Sequence, residues 1–339
     1  MNETPLILSI ESSCDDTSVA ILRGREVLSN VVSTQKVHEE FGGVVPELAS
    51  RAHQKNMVPT VDLAVKKAGV ELKQLDAVGF TVGPGLLGSL LVGVSFAKSM
   101  ALALDVPLIT VNHMEAHILA HFIDSDRPQP SFPFICLTVS GGHTQLVEMK
   151  STDQFIVRGE TIDDAAGEAF DKIAKIMGLP YPGGPVLDGL AKKGNPLAYS
   201  FSLPKVGGYD YSFSGLKTSV LYFLQKQMRL DNSFIDRNKN DICASVQKAI
   251  LDVLFSKLDL LVKESGIKEV AIAGGVSANS GLRMRLEKKQ KEGWCIYLPE
   301  FEYCTDNAAM IGIGAYYKFL KKDFANISVA AQARLKITK

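Results

Sequence analysis

Cysteine is scarce in this sequence, and its placement excludes two common structural roles. Five cysteines occur among the 339 residues, and no two of them form a CxxC pair. An odd number without paired spacing argues against a disulfide framework and against a zinc knuckle, and it fits a reducing compartment. The N-terminus also lacks a basic stretch followed by an apolar stretch, so we expect no signal peptide and a cytoplasmic protein.

An excess of either charge is also absent. Lysine and arginine together number 37, aspartate and glutamate also number 37, and the formal net charge is +0. This balance argues against a protein that holds nucleic acid by bulk positive charge, so such binding requires local patches or a partner. The content of 46% hydrophobic and 22% charged residues is that of a globular protein. The length exceeds the roughly 250–300 residues of a single core, which predicts two domains.

Long hydrophobic runs are few. The most apolar stretch, from Leu86 to Leu104, contains Lys98 and several serines and glycines. This composition favours a buried helix over a membrane span, and we predict no membrane association.

Short apolar strands and helices alternate along the chain, which is typical of an α/β layer fold. One strand–turn–strand pattern occurs twice. Residues 6–10 and 18–22 flank a polar turn, and residues 134–139 and 144–148 flank the turn at residues 140–143. An ordinary hairpin is the alternative for each. Because the pattern begins both halves of the chain, we interpret it as an internal duplication.

Two histidines four positions apart suggest a metal site. His113 and His117 lie in the sequence VNHMEAH, and in a helix they are separated by roughly 40° around the axis. Both imidazoles can then reach one ion, although the spacing also suits an amphipathic helix whose polar residues line a cleft. A third ligand must come from elsewhere, and Asp306, at the first turn of the last long helix, is the best candidate. We expect the three to converge from opposite sides of a cleft.

Three turns have a composition that suits phosphate binding. The turn at residues 11–17 contains three acids and four hydroxyl or thiol groups, which either cradle a phosphate with its metal or form a polar loop. In the turn at residues 140–143, two glycines let a ligand approach backbone N–H groups. The pair Gly274-Gly275 lies between a strand and a helix, as in many nucleotide sites and in ordinary parallel α/β units.

Ten motifs, taken in order, resemble the bacterial TsaD family, also long labelled glycoprotease or O-sialoglycoprotein endopeptidase. The resemblance extends from one end of the chain to the other. Each motif alone is weak, but ten in order are very specific. The motifs are IESSCD (10–15), FGGVVPELASRAH (41–53), GPGLLGSL (83–90), NHMEAH (112–117), VSGGHTQ (139–145), DDAAGEAFDK (163–172), YPGGP (181–185), FSGLK (213–217), GGVSAN (274–279) and TDNAAM (305–310).

The resemblance implies the actin/Hsp70/sugar-kinase fold, with two RNase H-like lobes around a nucleotide cleft. We assign residues 1–131 and 306–339 to the first lobe, with the C-terminal helix packing back onto it, and residues 132–305 to the second. The resemblance also implies transfer of a threonylcarbamoyl group from threonylcarbamoyl-adenylate to N6 of the adenosine 3′ of the anticodon. The substrates would be tRNAs that read codons beginning with A.

The resemblance further implies that residues at the matching positions bind a metal ion and a nucleotide. One divalent metal, usually assigned as iron, with Zn²⁺ or Mg²⁺ as alternatives, would be held by His113, His117 and Asp306. ATP, ADP or threonylcarbamoyl-adenylate would be bound in the cleft by Thr138, Val139, Ser140, Gly141, Gly142, Asp171, Gly184, Asp188 and Asn279. Archaeal and eukaryotic relatives have, where this chain has Thr138, a tyrosine that can also reach the metal. This chain therefore has no residue that matches that fourth protein ligand.

Catalysis on an adenylate requires orientation and charge stabilisation, because the donor is already activated. Glu11 or Asp15 would take a proton from the attacking amine or order the site, and we favour Glu11. The family functions with tRNA and two protein partners, a TsaB-like paralogue and a TsaE-like P-loop ATPase. The neutral net charge of this chain agrees with such a dependence.

Two other functions remain as alternatives. A metalloprotease of the zincin type needs a glutamate directly after the first histidine, whereas Glu115 is two residues on, roughly 200° around a helix from His113. An ATP-dependent small-molecule kinase of the same fold is the second alternative, since fold alone does not determine function. The histidine pair argues against a kinase, which needs no histidine-bound metal.

Overall fold

The computed structural model describes residues 4–337, and the chain divides into two compact units. Unit 1 is discontinuous, because it comprises the chain up to Gln129 and again from Pro299 onward. Unit 2 is the intervening segment, Pro130–Leu298. The C-terminal part of the chain therefore belongs with the N-terminal part.

Strands and helices alternate along both units, as the sequence predicts. In residues 4–337 the strands are β1 (Leu6–Glu11), β2 (Thr17–Arg23), β3 (Glu26–Ser33), β4 (Ala77–Gly83), β5 (Leu108–Asn112), β6 (Phe134–Val139), β7 (Thr144–Ser151), β8 (Gln154–Glu160), β9 (Glu269–Ala273) and β10 (Cys295–Tyr297). The α-helices are α1 (Pro46–Ala68), α2 (Leu87–Leu104), α3 (His113–Leu119), α4 (Ala166–Ile176), α5 (Gly183–Ala191), α6 (Ser214–Leu230), α7 (Phe234–Ser265), α8 (Ser280–Lys291) and α9 (Ala308–Leu320).

The sheet of unit 1 has the strand order β3-β2-β1-β4-β5. The hairpin strands β1, β2 and β3 pair antiparallel, whereas β4 and β5 continue the sheet in parallel. Every residue of β1 and β4 is buried, as expected of near-continuous apolar strands that are covered on both faces. Helices α1 and α2 pack on the sheet and on each other, and α9 packs on β1, β2, β4 and β5.

The sheet of unit 2 repeats this arrangement. Its order is β10-β9-β6-β7-β8, with β6, β7 and β8 antiparallel and with β9 and β10 added in parallel. β6 therefore occupies the place in unit 2 that β1 has in unit 1, and each is followed by its own antiparallel hairpin. The equal strand order is what an internal duplication requires.

Helix α2 is the one helix in residues 4–337 that is long and apolar enough to cross a membrane. One face packs on the core through Leu90, Val94 and Ala97. The other face is exposed, since Leu87 and Leu102 have 53% and 74% of their surface accessible. The predicted burial is thus only partly correct, because just 33% of the helix is buried.

Candidate functional site

The two predicted histidine ligands lie on α3, which begins directly after β5. Asn112 caps this helix, and its Oδ1 accepts hydrogen bonds from the backbone N–H groups of Met114 and Glu115 at 2.9 and 3.4 Å. All seven residues of α3 are buried. The His113 and His117 rings, one turn apart, lie edge to face with centroids 4.7 Å apart.

Asp306 reaches the histidines from the segment that precedes α9. Its Oδ1 lies 3.1 Å from Nε2 of His117 and 3.4 Å from Nε2 of His113. All three residues belong to unit 1, so the expected approach from opposite sides of a cleft is wrong. The reason is that α9 returns to the sheet that also positions α3.

Hydrogen bonds from unit 1 strands fix the start of α9. Asn307 caps the helix, with its Oδ1 3.1 Å from the N–H of Met310. The N–H of Ala308 donates to Ser18 Oγ at 2.9 Å, and Ser9 Oγ donates to the Ala308 carbonyl at 2.7 Å. The helix therefore begins at Ala308, so Asp306 precedes the first turn instead of lying in it.

The three side chains fit a divalent metal. Their candidate ligand atoms lie within 4.8 Å of one another, and one carboxylate oxygen faces two imidazole nitrogens. Two histidines and one carboxylate are a common ligand set for iron or zinc, with positions left open for substrate. Within residues 4–337, these three are the side chains whose ligand atoms lie close enough together to hold one metal ion.

Glu11 lies behind His113, on the other side of the imidazole ring. One of its carboxylate oxygens, Oε1, accepts from the N–H of Ser13 at 2.5 Å. The other, Oε2, accepts from Thr81 Oγ1 at 2.6 Å and from His113 Nδ1 at 3.0 Å. With Nδ1 held by Glu11, the Nε2 atom of His113 is left to face Asp306. Sequence reasoning missed Ser13 and Thr81 as partners in this contact.

These contacts set the protonation of the site. Burial raises the pKa of Asp306, but the charges and hydrogen bonds of His113 and His117 outweigh it and hold that pKa well below its ordinary value. Burial lowers the pKa of His113, whereas Asp306 and Glu11 raise it well above its ordinary value. Two carboxylates thus favour positive charge at the position where a cation would bind.

The polar turn after β1 places Asp15 in the same unit. The fully buried His53 of α1 holds this turn. Its Nδ1 lies 2.8 Å from Thr17 Oγ1, and its Nε2 donates to the Cys14 carbonyl at 2.9 Å. Asp15 itself is half-buried. Burial raises the pKa of the adjacent Asp16 to about 6. His53 therefore fixes the position of this turn. In the sequence it was recognised only as a member of the FGGVVPELASRAH motif, without a role.

In unit 2, the predicted phosphate-binding turn follows β6. The N–H of Ser140 donates to the His143 carbonyl at 2.8 Å, and Ser140 Oγ accepts from the N–H of His143 at 3.1 Å. Gly141 and Gly142 are exposed, and a Cβ on either would meet no atom within 4 Å. Their backbone is therefore open to a ligand.

Two other glycines hold this turn against its neighbours. A Cβ on Gly167, at the start of α4, would lie 2.5 Å from the Ser140 carbonyl oxygen. Gly274 has a φ of +85°, and its Cβ would lie 2.5 Å from the Val139 carbonyl oxygen. The turn at Thr138 to Gly142 is thus packed between the start of α4 and the Gly274-Gly275 turn.

The remaining predicted nucleotide residues make hydrogen bonds at the starts of α5 and α8. Asp171 accepts a hydrogen bond from the N–H of Gly184 at 3.0 Å, and burial raises the pKa of this carboxyl. Asp188 accepts from Ser280 Oγ at 2.7 Å. Asn279 caps α8 through the N–H of Leu282 at 2.9 Å. These side chains tie α5 and α8 into unit 2.

Comparisons with known proteins agree with the motifs. The profile of one family, "TsaD: tRNA N6-adenosine threonylcarbamoyltransferase", matches residues 26–313. Relatives with that enzyme name from Christiangramia forsetii and Riemerella anatipestifer are 59% and 58% identical over 332 and 334 residues. The alignments cover 97% and 98% of this chain, and 98% of each relative.

A solved structure of full-length HypF in its phosphate- and nucleotide-bound form resembles the chain with a TM-score of 0.60. The alignment covers 93% of this chain and 46% of HypF at 15% identity, so it bears on the fold alone. HypF is a member of the actin/Hsp70/sugar-kinase fold, and the predicted fold class is confirmed.

Proposed function

The chain belongs to the TsaD family, the tRNA N6-adenosine threonylcarbamoyltransferases, and we propose that its donor is threonylcarbamoyl-adenylate. The proposed acceptor is N6 of the adenosine 3′ of the anticodon, in tRNAs that read codons beginning with A. The observation that carries the proposal is the near full-length similarity to transferases of this name. The grouping of His113, His117 and Asp306 supports it.

The reaction forms a bond between the carbamoyl carbon and N6 and breaks the bond from that carbon to a phosphate oxygen. AMP leaves, and the amine loses one proton. Because the adenylate is a mixed anhydride, no covalent enzyme nucleophile is required. The chain must orient the amine and stabilise charge on the carbonyl oxygen and on the leaving phosphate.

We propose that His113, His117 and Asp306 hold the metal ion, with Fe²⁺ ahead of Zn²⁺ and Mg²⁺. When bound, the ion supplies a Lewis acid and a template at the site. Imidazole nitrogens suit iron and zinc better than magnesium, which prefers oxygen ligands. Elemental analysis of protein purified without oxygen identifies the ion.

Glu11 is proposed to position His113, because both of its carboxylate oxygens already accept hydrogen bonds. Metal-binding histidines commonly donate their second N–H to a carboxylate in this way, which fixes the tautomer and orients the ring. This geometry favours a positioning role over the predicted role as proton acceptor. Asp15, half-buried on the same turn, becomes the better candidate for receiving the proton of the amine.

For the nucleotide, we propose that Ser140, Gly141 and Gly142 approach the phosphates. The turn offers backbone N–H groups, and no side chain lies where a Cβ of either glycine would be. Thr138 and Val139 lead into this turn. Asp171, Gly184, Asp188 and Asn279 are proposed to meet the ribose, the base or the amine, because carboxylates are repelled by phosphate oxygens.

The proposed macromolecular partners are tRNA, a TsaB-like paralogue and a TsaE-like P-loop ATPase. The outer face of α2 supports a protein partner. Its exposed stripe of Leu87, Leu91, Ser95, Ser99 and Leu102 is uncharged apart from the half-buried Lys98, which lies between Leu87 and Leu91 around the helix. Interface cores are depleted in charged residues in the same way. We place the TsaB-like paralogue on this face of unit 1.

The alternative of a metalloprotease has no support from the contacts of Glu115. This side chain, the acid within HMEAH, lines a cavity with Lys318 and Gln332 that includes none of the three proposed metal ligands. A small-molecule kinase would have the same fold, so an activity assay is needed to distinguish it from a tRNA-modifying transferase.

The test is a reconstituted reaction. The purified chain is mixed with its two partners, threonylcarbamoyl-adenylate and an unmodified tRNA transcript that reads a codon beginning with A. Nucleoside analysis by mass spectrometry should then show threonylcarbamoyladenosine, and a transcript with guanosine in place of the acceptor adenosine should remain unmodified. Cleavage of a glycoprotein, or ADP formation that depends on an added sugar, without tRNA modification would disprove the proposal.

A further inference from the structure

The last part of the chain has no helix or strand, yet it is held by backbone hydrogen bonds. We define residues 324–337 as the C-terminal tail. Ala325 donates to the Leu108 carbonyl at 2.7 Å, and Gln332 donates to the Val82 carbonyl at 2.8 Å. The tail thus follows β5 and β4, and its last described residue, Ile337, is only 6% exposed.

One side chain connects the tail directly to the helix of the metal ligands. Asn112 is 5% exposed and uses both ends of its amide. Its Oδ1 caps α3 at the N–H groups of Met114 and Glu115, whereas its Nδ2 donates to the Lys336 carbonyl at 3.0 Å. The residue that starts α3 is therefore anchored on the tail, one position before His113.

A second connection passes through the turn that follows β4. The N–H of Gly85 donates to the Ala333 carbonyl of the tail at 3.2 Å. On the other side of the turn, the N–H of Leu86 donates to the Ser13 carbonyl at 2.7 Å. Ser13 Oγ in turn lies 3.1 Å from His113 Nδ1. Tail and metal ligand are thus linked through two residues of one turn.

Glycines make this close packing feasible. A Cβ on Gly83 would lie 1.9 Å from the Gln332 carbonyl oxygen, and a Cβ on Gly85 would lie 2.4 Å from the Ser13 carbonyl oxygen. Both residues have positive φ, at +154° and +158°. The turn can therefore touch the tail on one side and the metal site on the other.

Between these contacts the tail spans a cavity of about 180 Å³. It is lined by Val82, Thr110 and Glu115 on one side and by Val329, Gln332 and Leu335 of the tail on the other. Apolar tail residues also pack on the core of unit 1, whereas the hydrogen bonds at Asn112 and at the turn are the contacts that lead from the tail to the metal site.

We propose that the C-terminal tail braces the metal site, and that Asn112 is a positioning residue that transmits this support to His113. This inference rests on the proposed metal role of His113, His117 and Asp306. Without the tail, α3 and the turn after β4 lose their shared anchor, and the ligand set loses its spacing. Residues that orient metal ligands typically change metal affinity about 10–100-fold when they are removed.

The first test is Asn112→Ser, because serine also caps helices well but is too short to reach the Lys336 carbonyl. Asn326→Ser, at an exposed position of the tail, is the matched control. Co²⁺ is titrated into the metal-free full-length proteins and is followed by its visible absorption. We expect the dissociation constant to rise at least tenfold and the absorption bands to change in Asn112→Ser, with both unchanged in Asn326→Ser.

The second test shortens the chain. A protein that ends at Ala331 lacks the residues that contact the turn and Asn112, whereas one that ends at Ile337 keeps them. Weaker Co²⁺ binding only in the shorter protein, with the same circular dichroism, supports the brace. If the shorter protein fails to fold, Asn112→Ser decides. Wild-type binding in Asn112→Ser would overturn the brace and leave the metal site intact, whereas a wild-type chain that binds no Co²⁺ would overturn both.

Discussion

At the scale of single residues, the site is a chain of buried acids and bases. Glu11 contacts His113 through Nδ1, and the opposite nitrogen of that ring faces Asp306, which also contacts His117. Each ring of the histidine pair is therefore oriented by a carboxylate. Burying such charged groups costs free energy unless every charge has a partner. A cation bound between the two histidines and Asp306 would balance the negative charge of the carboxylates.

Asp306→Asn tests the charge that Asp306 contributes. The amide has the same shape but no negative charge, so we expect less than a tenth of the wild-type metal content after anaerobic purification. Inductively coupled plasma mass spectrometry gives the content. The control is Asp323→Asn, an exposed acid that pairs with Lys318 at 3.3 Å. Full metal occupancy in Asp306→Asn would show that Asp306 is not a ligand.

The sequence indicated the three candidate metal ligands more readily than the residues that contact them. His113 and His117 follow from helical spacing, and Asp306 was selected as an acid near the start of a helix. The partners Thr81 and Lys336 are 70 residues from Glu11 and 224 residues from Asn112. Contacts at such separations leave no periodic signal in the sequence. The start of the last helix was also misplaced, since Thr305 suits a cap as well as Asn307 does.

At the scale of elements, a turn positions the glycines that are proposed to approach the phosphates. The turn after β6 is exposed at its two glycines and packed at its base against Gly167 and Gly274. The base fixes the backbone, and the tip is open. The two adjacent glycines between two strands predicted this turn, but the close approach of α4 was visible only in the fold.

Gly142→Val should abolish nucleotide binding without loss of the fold. A Cβ at this position meets no protein atom within 4 Å, so the added side chain occupies only the space proposed for the phosphates. We expect the affinity for ATP to fall at least tenfold in calorimetric titration, with an unchanged melting temperature. Gly207→Val, at a glycine with equally open surroundings, is the control. Wild-type affinity in folded Gly142→Val would rule out the phosphates here.

Asp163 holds the start of α6 through hydrogen bonds from the N–H groups of Phe213 and Ser214 at 2.8 and 3.3 Å. Burial raises its pKa, but hydrogen bonds from Ser212, Phe213 and Ser214 hold it below the ordinary value of 3.8. A carboxyl with a lowered pKa stabilises the fold above its unfolded pKa, and this contribution is lost as the pH falls through the folded pKa.

Asp163→Ala should therefore destabilise the protein by about 1–2 kcal/mol at pH 7, as loss of a helix cap does. The difference from wild type should shrink as the pH is lowered below 3.8. Urea unfolding at several pH values measures it. Asp62→Ala, at an exposed ion pair with Lys66, should change the free energy of unfolding by less than about 0.5 kcal/mol. A pH-independent difference for Asp163→Ala would contradict this account.

At the scale of the whole molecule, the same strand order occurs in both sheets, but the two units have different candidate binding residues. Unit 1 contains the histidines and the acid that can hold a metal, and unit 2 contains the glycine turn and the acids that hydrogen-bond to the starts of α5 and α8. The repeat was visible in the sequence because each half begins with a strand, a small polar turn and a second strand. The exposed face of α2 could not be predicted from the sequence, because its leucines alternate with small residues that suit burial equally well.

Leu91→Glu tests the proposed place of the TsaB-like partner. A carboxylate in the middle of the leucine and serine stripe on α2 would be buried in the complex at a cost in free energy. We expect loss of the complex in size-exclusion chromatography and loss of tRNA modification, with an unchanged melting temperature. Leu230→Glu on α6, at a position that is 78% exposed, is the control. A stable complex with Leu91→Glu would place the partner on another surface.

The interrupted course of unit 1 has a consequence for protein synthesis. Asp306 follows His117 by 189 residues, so at 5–20 residues per second the ribosome adds it roughly 10–40 s later. During that interval the nascent chain contains two histidines without their acid, while the whole of unit 2 is being made. The contact between Asn112 and Lys336 comes later still. A polypeptide released before Asp306 is added therefore lacks one of the three side chains that are proposed to hold the metal.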